Sequence, residues 1–231
     1  MREVEMSTLT GTGIKVVSLA EAISHVTDGM TVMSGGFMGC GNPHRLVAGL
    51  LEAGVKDLTL ICTDASRPGY GVAQLVEQRR LRRLIASHVG LNPAVAEQMN
   101  AGELEVELVP QGTLAERIRA GGAGLGGVLT PTGLGTPIAE GKQVVEVDGR
   151  QFLLEKPLHA DVALITGYRI DLFGNVWYRG TTRNFNPVMA TAADLVIAEA
   201  DHLVEVGAIP PEDVVTPGVL VDLIVEGGEL A

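Results

Sequence analysis

Short apolar segments alternate with segments of helical character along the first half of the chain. The strand-like segments are 30–34, 58–63, 84–87 and 104–109, and the helix-like segments are 18–26, 43–53, 72–78 and 93–100. Strands that are joined by helices over short connections pair in parallel, because each helix carries the chain back to the start of the next strand. The alternation therefore predicts an α/β fold with an open, mostly parallel sheet and flanking helices.

A capping box and a hairpin turn mark elements of the second half. Thr113 and Glu116 are three residues apart, as in a capping box, which predicts a helix that starts at Thr113. Residues 144–154 alternate about the dipeptide Asp148-Gly149, which is typical of a two-residue hairpin, so we expect a small antiparallel insertion on the sheet. Buried strands are predicted to resume at 161–166 and 194–199.

The chain has 231 residues and shows no linker, charge block or internal repeat. Residues 14–228 are predicted to form one domain after a flexible N-terminal tail, residues 1–13. The tail lacks the pattern of a secretory signal, and no apolar stretch reaches the roughly 20 residues of a membrane span. Cys40 and Cys62 lack a Cys-x-x-Cys spacing. A reduced, cytoplasmic environment is therefore expected.

The acidic charge argues against a nucleic-acid surface. The chain carries 17 Lys plus Arg against 28 Asp plus Glu, a net charge of -11, and phosphate backbones are bound by clustered cations. The one basic run contains Arg79, Arg80, Arg82 and Arg83. We interpret it as a solvated or interface face, and the alternative is contact with a polyanionic ligand.

A glycine-rich segment, which we call the Gly loop, joins the first long buried strand to the second helix. Its residues are Gly35, Gly36, Phe37, Met38, Gly39, Cys40 and Gly41. Asn42 is placed to cap the next helix and Pro43 to open it, so backbone N–H groups and a helix N-terminus can face an anion. The loop lacks the Lys-Ser or Lys-Thr of a Walker motif. We predict a phosphate-bearing ligand, and the alternative is a tight strand-to-helix turn.

A second glycine-rich stretch, residues 121–135, gives a weaker signal. Gly122, Gly124 and Gly127 match the dinucleotide pattern in their letters, but the pattern follows a helix instead of opening one, so we reject a Rossmann site. A backbone-lined wall beside a substrate and a plain crossing loop remain as alternatives. The five histidines lack metal-ligand spacing, so no metal is predicted. No Ser or Cys nucleophile motif is present either.

Three stretches carry a pattern that is much longer than any local motif. They are Asp28-Gly29 with Gly35-Gly36-Phe37 and Gly41-x-Pro43; residues 102–124; and Thr130-Pro131-Thr132-Gly133 with Arg183-Asn184-Phe185-Asn186. Together they resemble the α subunit of family I CoA-transferases, of the acetate or acetoacetate, short-chain acyl-CoA type. The sequence departs from that pattern at Ser34, where an apolar residue is usual. The resemblance implies an open α/β fold shared with ribose-5-phosphate isomerase, and transfer of CoA from an acyl-CoA to a carboxylic acid.

The resemblance also implies a covalent, ping-pong mechanism in which a Glu carboxylate attacks the thioester. That Glu belongs to a Ser-Glu-Asn-Gly-like motif of the β subunit, and this chain contains no such motif. Glu226-Gly227-Gly228 is no substitute, because we expect it in a frayed tail. The chain is thus expected to pair with a β subunit, two of each, with CoA and acyl-CoA as substrates and no permanent cofactor.

Residue roles follow from the same resemblance. Residues 35–41 match the segment assigned to CoA contact, and Gln111 matches the residue whose main-chain N–H faces the thioester oxygen as an oxyanion donor. The residues expected to form the substrate wall are Thr63, Asp64, Gly122, Gly124 and Gly126. Gly124→Val is accordingly expected to reduce transfer far more than Gln111→Ala.

Departures from succinyl-type relatives bear on the acid that is used. Thr63 and Asp64 stand where those relatives carry paired Asn, which favours acetate, butyrate or acetoacetate. A dicarboxylate would want a further cation, such as Arg45 or Arg67. The alternatives are a family member that acts on a 3-oxo dicarboxylic acid or succinyl-CoA, and a non-catalytic phosphate-ligand sensor of the same fold. The basic run at 79–83 is a weaker hypothesis for contact with CoA.

Overall fold

The computed structural model describes residues 15–227, and the predicted tail at 1–13 lies outside them. Strands and α-helices alternate along the described chain as far as residue 130. In order they are β1 (Lys15–Val17), α1 (Leu19–Ile23), β2 (Thr31–Ser34), α2 (His44–Ala53), β3 (Leu58–Ile61), α3 (Ala73–Glu77), β4 (Leu81–Ala86), α4 (Pro93–Asn100), β5 (Glu105–Leu108), α5 (Gln111–Gly122), β6 (Val128–Thr130), β7 (Val144–Val147), β8 (Arg150–Glu155), β9 (Ala160–Asp171), β10 (Val176–Trp177), α6 (Asn186–Met189), β11 (Ala193–Val204) and β12 (Leu223–Glu226).

The main sheet is parallel in the order β1-β12-β11-β9-β2-β3-β4-β5, and β10 pairs with β9 antiparallel. From β2 the chain continues to one side, through β3, β4 and β5. From β9 it continues to the other side, through β11 and β12. The direction of winding therefore reverses between β2 and β9, and in open α/β sheets such a reversal leaves a crevice at the carboxyl ends of the strands. The predicted fold class is confirmed.

Both faces of the central strands are buried. Val32 belongs to the core beneath α2 and α3, while its neighbour Met33 belongs to the core beneath α5 and α6. Leu60 and Ile61 of β3 are divided between the two cores in the same way. Successive side chains on a strand point to opposite faces, which explains why these strands are continuous apolar runs. Burying each such side chain contributes about 1.5–3 kcal/mol.

Two predicted helix starts differ from the structure. The helix α5 starts at Gln111, two residues before Thr113, and its N-cap Pro110 makes no side-chain capping bond. Thr113 is instead buried in the first turn, so the capping box is not formed. Pro43, not Asn42, is the N-cap of α2, again without a capping bond. In both cases proline opens the helix, because its fixed φ suits the first turn.

The predicted hairpin is present, but it belongs to a second sheet. Its turn residues Asp148 and Gly149 have φ values of 50° and 73°, as a type I′ turn requires. The second hairpin strand, β8, also pairs with β6, so the three strands form an antiparallel sheet in the order β6-β8-β7 that is separate from the main one. The expected insertion on the main sheet is therefore wrong in its attachment, because pairing with β6 over residues 128–130 is a long-range contact.

A buried ionic network joins the small sheet to the main one. Glu155 of β8 is 2% exposed and accepts from Lys142 Nζ at 2.6 Å. Arg117 of α5 donates to the Lys156 carbonyl at 2.8 Å and to Glu107 of β5 at 2.6 Å. Burial by itself raises the pKa of Glu107, but hydrogen bonds and charge from Arg117 and from a second arginine lower it overall. The network therefore holds an ionised carboxylate between the two sheets.

Two strands extend further than predicted, and the C-terminal segment is ordered. Beyond the predicted segments 161–166 and 194–199, β9 and β11 continue side by side to Asp171 and Val204. Glu226 lies in β12, and Gly227 donates its N–H to the Ala200 carbonyl at 2.6 Å. The expected frayed tail is thus wrong for these two residues, because β12 fills the space between β1 and β11. Gly228 lies outside the described residues.

Within residues 15–227, no helix combines the length and apolar character that crossing a bilayer requires.

Candidate functional site

The Gly loop follows β2 at the crevice and ends in a tight turn. Phe37 and Cys40 exchange backbone hydrogen bonds, both 2.9 Å long. Between them Met38 and Gly39 have φ values of 51° and 87°, as a type I′ turn requires. The Phe37 and Met38 side chains are 44% and 41% exposed at the tip. The loop therefore presents two large apolar groups beside the crevice.

Most backbone donors of the Gly loop already have partners inside the protein. The Gly36 N–H donates to the side-chain oxygen of Asn184, and the Met38 N–H donates to the carboxylate of Asp64, each at 2.9 Å. The predicted cradle of free N–H groups for a phosphate therefore does not hold at these positions. The loop is instead a shaped wall whose conformation is set by buried side chains.

The N-terminus of α2 is occupied as well. The backbone N–H groups of Arg45 and Leu46 donate to one carboxylate oxygen of Glu199, at 2.9 and 3.0 Å. Glu199 is 5% exposed and comes from β11, two strands away from β2. The anion that the sequence predicts at this helix terminus is thus a side chain of the protein itself.

Thr63 and Asp64 lie beneath the Gly loop, with exposures of 1% and 4%. The Thr63 hydroxyl contacts the Gly36 carbonyl and lies 2.9 Å from the Asp64 carboxylate. Asp64 also accepts from the Ser66 N–H at 2.8 Å. The polar atoms of both side chains point into the protein, where they hold the loop, and the place of these residues in a substrate wall stays a prediction.

A row of polar contacts, which we call the edge row, crosses the carboxyl ends of four strands. It starts at Gly36 after β2, whose carbonyl contacts Thr63 after β3. The Ser87 hydroxyl after β4 donates to the Thr63 carbonyl at 2.6 Å and lies 3.3 Å from the side-chain oxygen of Gln111 after β5. The edge row therefore connects the Gly loop to Gln111 within one continuous network.

Gln111 opens α5 at this edge. The first N–H groups of a helix have no acceptor within the helix, and the N-cap Pro110 supplies none. Among the described residues, none accepts a hydrogen bond from the Gln111 N–H. An open groove of about 500 Å³ lies beside it, between α5 and β6, with Thr113 and Thr130 among its lining residues. The start of α5 can therefore donate to an anion or a carbonyl oxygen.

Asn184 and Asn186 hold the Gly loop by side-chain hydrogen bonds, and neither was assigned a role from the sequence. Asn186 is fully buried and accepts from the Thr166 N–H at 3.1 Å. Its amide donates to the carbonyls of Gly41 and Thr182, at 3.0 and 2.8 Å. The sequence signal that could have indicated this role of Asn184 and Asn186 is their place in the Arg183-Asn184-Phe185-Asn186 motif. Asn186 therefore joins β9, the Gly loop and the segment before α6.

The second glycine stretch does not reach this site. Leu125 and Gly124 donate their N–H groups to the carbonyls of Ala120 and Gly121, which is a Schellman helix end. At 1.5 Å per residue, the 12 residues of α5 place this end about 18 Å from Gln111. The predicted wall of Gly122, Gly124 and Gly126 therefore lies at the far end of α5 from Gln111. The structure lends no support to this wall or to the ranking of Gly124→Val above Gln111→Ala, and both stay predictions.

Gly122 and Gly126 have different surroundings. A Cβ on Gly122 would lie 2.1 Å from the Thr191 hydroxyl oxygen, so this glycine allows α5 to pack beside the end of α6. A Cβ on Gly126 would meet nothing within 4 Å. Both residues thus have a packing or connecting position instead of a place at the crevice.

The basic run lies at the opposite edge of the sheet. Arg82 at the start of β4 donates to the Gly29 carbonyl before β2 and to the Thr59 hydroxyl. Arg79 pairs with Glu103, and Arg83 pairs with Glu107 at 2.7 Å. These cations are partnered within the protein and lie at the amino ends of the strands. The geometry therefore gives no support to the hypothesis that the basic run contacts CoA, which stays a prediction.

Removing the Thr63 hydroxyl tests whether the edge row shapes the site. Thr63→Val keeps the volume but leaves the buried Gly36 carbonyl without this partner, which costs about 1–3 kcal/mol. We expect kcat/KM for the CoA transfer that the resemblance implies to fall at least about tenfold. Thr59→Val, within β3 near the amino edge of the sheet, is the matched control and should keep wild-type kcat/KM. Equal kinetics in the two variants would contradict a role for the edge row.

The fold is that of an open α/β protein with a crevice at the point where the winding of the sheet reverses. Residues 16–227 match the family model described as "Coenzyme A transferase". The chain belongs to the coenzyme A transferase family. It is thus a transferase that acts on CoA and its thioesters.

Named relatives agree with this assignment. The chain is 52% identical over 215 residues to the "Acetate CoA-transferase subunit alpha" of Escherichia coli K12, covering 93% of this chain and 98% of that one. It is 50% identical over 212 residues to the "Acetoacetyl-CoA:acetate/butyrate CoA transferase alpha subunit" of Clostridium acetobutylicum, covering 92% and 97%. An acyl-CoA transferase of E. coli O157:H7, solved as a thioester complex with CoA, has the same fold at 21% identity and a TM-score of 0.81, over 92% of this chain and 47% of that one.

The described residues include no group of three or more His, Cys, Asp or Glu side chains arranged around a possible metal ion. Cys40 is exposed and Cys62 is buried, and both are free thiols. Burial raises the pKa of the Cys62 thiol, so this thiol is protonated at neutral pH. The site offers amide, hydroxyl and carboxylate groups, together with the free N–H groups at the start of α5.

Proposed function

We propose that this chain is the α subunit of a hetero-oligomeric CoA-transferase that moves CoA from a short-chain acyl-CoA, such as acetyl-CoA or butyryl-CoA, to an acid such as acetoacetate. The observation that carries the proposal is the match to named α subunits over more than nine-tenths of the chain. Residues 14–228 would form the α-subunit domain, in an assembly of two α and two β subunits. The cytoplasm is the compartment in which we propose that it acts.

In this proposal the start of α5 acts on the thioester carbonyl. When a carboxylate attacks a thioester, negative charge develops on the carbonyl oxygen. A backbone N–H that needs no reorganisation stabilises that charge, by about 3 kcal/mol for a well-placed donor. Gln111 is an exposed residue at the positive end of a 12-residue helix, and its side-chain oxygen contacts the edge row. These features support Gln111 as the oxyanion donor through its main chain.

The Gly loop is proposed to contact CoA with its exposed surface. Residues 35–41 expose the Phe37 and Met38 side chains, which can pack against the apolar parts of pantetheine. Because most N–H groups of the loop are already bonded, we assign it shape and apolar contact instead of phosphate binding. Thr63 and Asp64 act indirectly, since they set the position of the loop.

The nucleophile must come from outside this chain. The Ser-Glu-Asn-Gly-like motif is absent from the sequence, and Glu199, the buried carboxylate at the crevice, is engaged with α2. A β subunit that docks at the carboxyl edge would bring its Glu within reach of a thioester held by Gln111. The carboxylate would displace CoA thiolate to form an acyl-glutamyl anhydride. The thiolate would then attack the glutamyl carbonyl of the anhydride, which releases the donor acid as a carboxylate and leaves a glutamyl-CoA thioester. The acceptor acid then resolves that thioester.

The identity of the acid is the second part of the proposal. The two cations considered for a dicarboxylate have other contacts: Arg45 donates to the Glu226 carbonyl at 3.3 Å, and Arg67 stacks over the ring of Tyr70. These contacts support a monocarboxylate. The alternatives are succinyl-CoA or a 3-oxo dicarboxylic acid as substrate, and a non-catalytic phosphate-ligand sensor.

The test is a titration of the purified chain with a β subunit that carries the Ser-Glu-Asn-Gly-like motif. CoA exchange between acetyl-CoA and acetoacetate or butyrate is measured at each ratio, and succinate is tested as a competing acceptor. We expect no exchange by this chain alone and saturation at equal stoichiometry. A β subunit with Gln in place of the motif Glu is the control, and it should bind without exchange.

Each outcome bears on a different part of the proposal. Exchange by this chain alone would place the nucleophile here and contradict the half-site assignment. Faster transfer to succinate than to monocarboxylates would favour the dicarboxylate alternative. Binding of the β subunit with no exchange for any acid pair would favour the sensor.

A further inference from the structure

The Glu199 carboxylate is a buried titratable group at the crevice that the proposed reaction does not use. Its oxygen accepts from two successive N–H groups in the first turn of α2, those of Arg45 and Leu46. The same helix follows the Gly loop directly, and Asn42 at the junction donates from its side chain to the Gly35 carbonyl. A change in the contact between Glu199 and α2 is therefore transmitted to the loop over a few covalent bonds.

We propose that Glu199 is a positioning residue for CoA transfer. Its carboxylate contacts the first turn of α2 and thereby holds the helix and the Gly loop in place. We call this contact the seat, and it is strong only while the carboxylate is ionised. An ionised acceptor at a helix N-terminus interacts with the helix dipole as well as with the two N–H groups, whereas a neutral acceptor keeps only the hydrogen bonds. The inference rests on the proposed function, because its kinetic readout is CoA transfer.

The charged groups around Glu199 set the pH at which the seat forms. Burial raises the pKa of Glu199 to about 7; the N–H groups of α2 and the charge of Arg45 lower it, and the charge of Asp201 raises it. His44 of α2 and His202 of β11 face Asp201. The pKa of His44 is lowered by burial, so His44 becomes charged below its ordinary range. Glu199 is thus a buried carboxylate whose charge changes near neutral pH on this side of α2.

As pH rises, stability and activity are expected to change in opposite directions. The folded pKa of Glu199 lies above its unfolded value, so its contribution to stability is fully present below the unfolded value of 4.5 and is lost as pH rises through about 7. The seat, in contrast, becomes stronger as the carboxylate ionises. A residue with only a structural role would lose or gain both together.

The experiment compares the assembled wild-type enzyme with Glu199→Gln across pH 6 to 8. We expect wild-type kcat/KM for acyl-CoA to rise with an apparent pKa of about 7. Glu199→Gln, which resembles the protonated side chain, should equal wild type at low pH, fall about three- to tenfold below it at high pH, and lose the pH dependence. Its Tm at high pH should be above that of wild type. If kcat/KM of Glu199→Gln still rises with pH, or if its Tm at high pH lies below that of wild type, the proposal is overturned.

Two further variants control the assignment. Asp201→Asn removes a negative charge near Glu199, so it should move the rise of kcat/KM to lower pH. A rise of kcat/KM at the wild-type pH in this variant would contradict the assignment. Glu205→Gln changes an exposed carboxylate just beyond β11 and should keep the wild-type profile.

Hydrogen exchange separates this inference from the proposed function. Protection of the peptide that contains Arg45 and Leu46, corrected for the intrinsic effect of pH, should increase from pH 6 to 8 in wild type and stay constant in Glu199→Gln. If that pattern is found but no transfer is measured at any pH, the seat exists and the proposed function has failed. If protection does not depend on Glu199, the inference is overturned whatever the activity.

Discussion

Gly36→Ala is expected to reduce kcat/KM for CoA transfer by at least about a hundredfold. Gly36 has φ of +125°, a conformation that L side chains rarely adopt. A Cβ built on it would lie 1.8 Å from the Asn42 side-chain nitrogen and 3.2 Å from the Asn42 backbone nitrogen. The loop must therefore move, and a displacement of about 1 Å at a reacting centre can cost about a hundredfold in rate.

Gly124→Ala is the matched control for this prediction. Gly124 also has a positive φ, +67°, but a Cβ there would meet nothing within 4 Å. The change carries the left-handed penalty of about 1–2 kcal/mol without displacing neighbours, so kcat/KM should stay within about twofold of wild type. Steady-state kinetics and thermal unfolding of both assemblies provide the measurement. A Gly36→Ala enzyme with kinetics like those of the control would contradict a role for the loop conformation.

Asn186→Ala is expected to have the largest effect on stability among the polar substitutions considered. The change removes the partner of three backbone groups, the Thr166 N–H and the carbonyls of Gly41 and Thr182. Because Asn186 is fully buried, water does not replace these bonds readily. We expect a loss of about 3 kcal/mol, which corresponds to roughly 6–12 °C in Tm for a chain of this size.

Asn100→Ala provides the comparison for this second prediction. Asn100 is exposed at the last residue of α4, so its removal should change Tm by less than about 2 °C. Thermal unfolding by circular dichroism measures both variants, and kcat/KM of the assembled enzyme reports the displacement of the Gly loop. If Asn186→Ala unfolds at the wild-type temperature, the buried amide does not hold the loop as the structure indicates.

Short-range pattern was sufficient for most of the architecture. The continuous apolar runs at 30–34 and 58–63 predicted strands that are buried on both faces, and Asp148-Gly149 predicted a hairpin turn. These predictions succeed because strand burial and turn geometry depend on residues only a few positions apart. The helix starts predicted at Asn42 and Thr113 were wrong because helix capping does not depend on neighbouring residues alone. Whether an Asn or Thr caps a helix depends on what else its side chain can bond.

The contents of the site came from long-range contacts. Glu199 reaches the first turn of α2 from a residue more than 150 positions away, and Asn184 reaches Gly36 over a similar separation. No local pattern reports such pairs, so the sequence placed the Gly loop correctly after β2 but read its N–H groups as free. The glycines at 122–126 lie away from Gln111 because the 12 residues of α5 separate them, and the length of a helix depends on where it starts.

Local chemistry, then, accounts for the strands, the turns and, through the family pattern, the kind of reaction. Tertiary packing decided which groups are available for that reaction, because a buried donor or carboxylate must find a partner wherever the fold brings one. Asp64 and Glu199 bond the Gly loop and α2, whereas the Gln111 N–H is left free at the crevice. That division follows from the strand order, which places β9 and β11 beside β2.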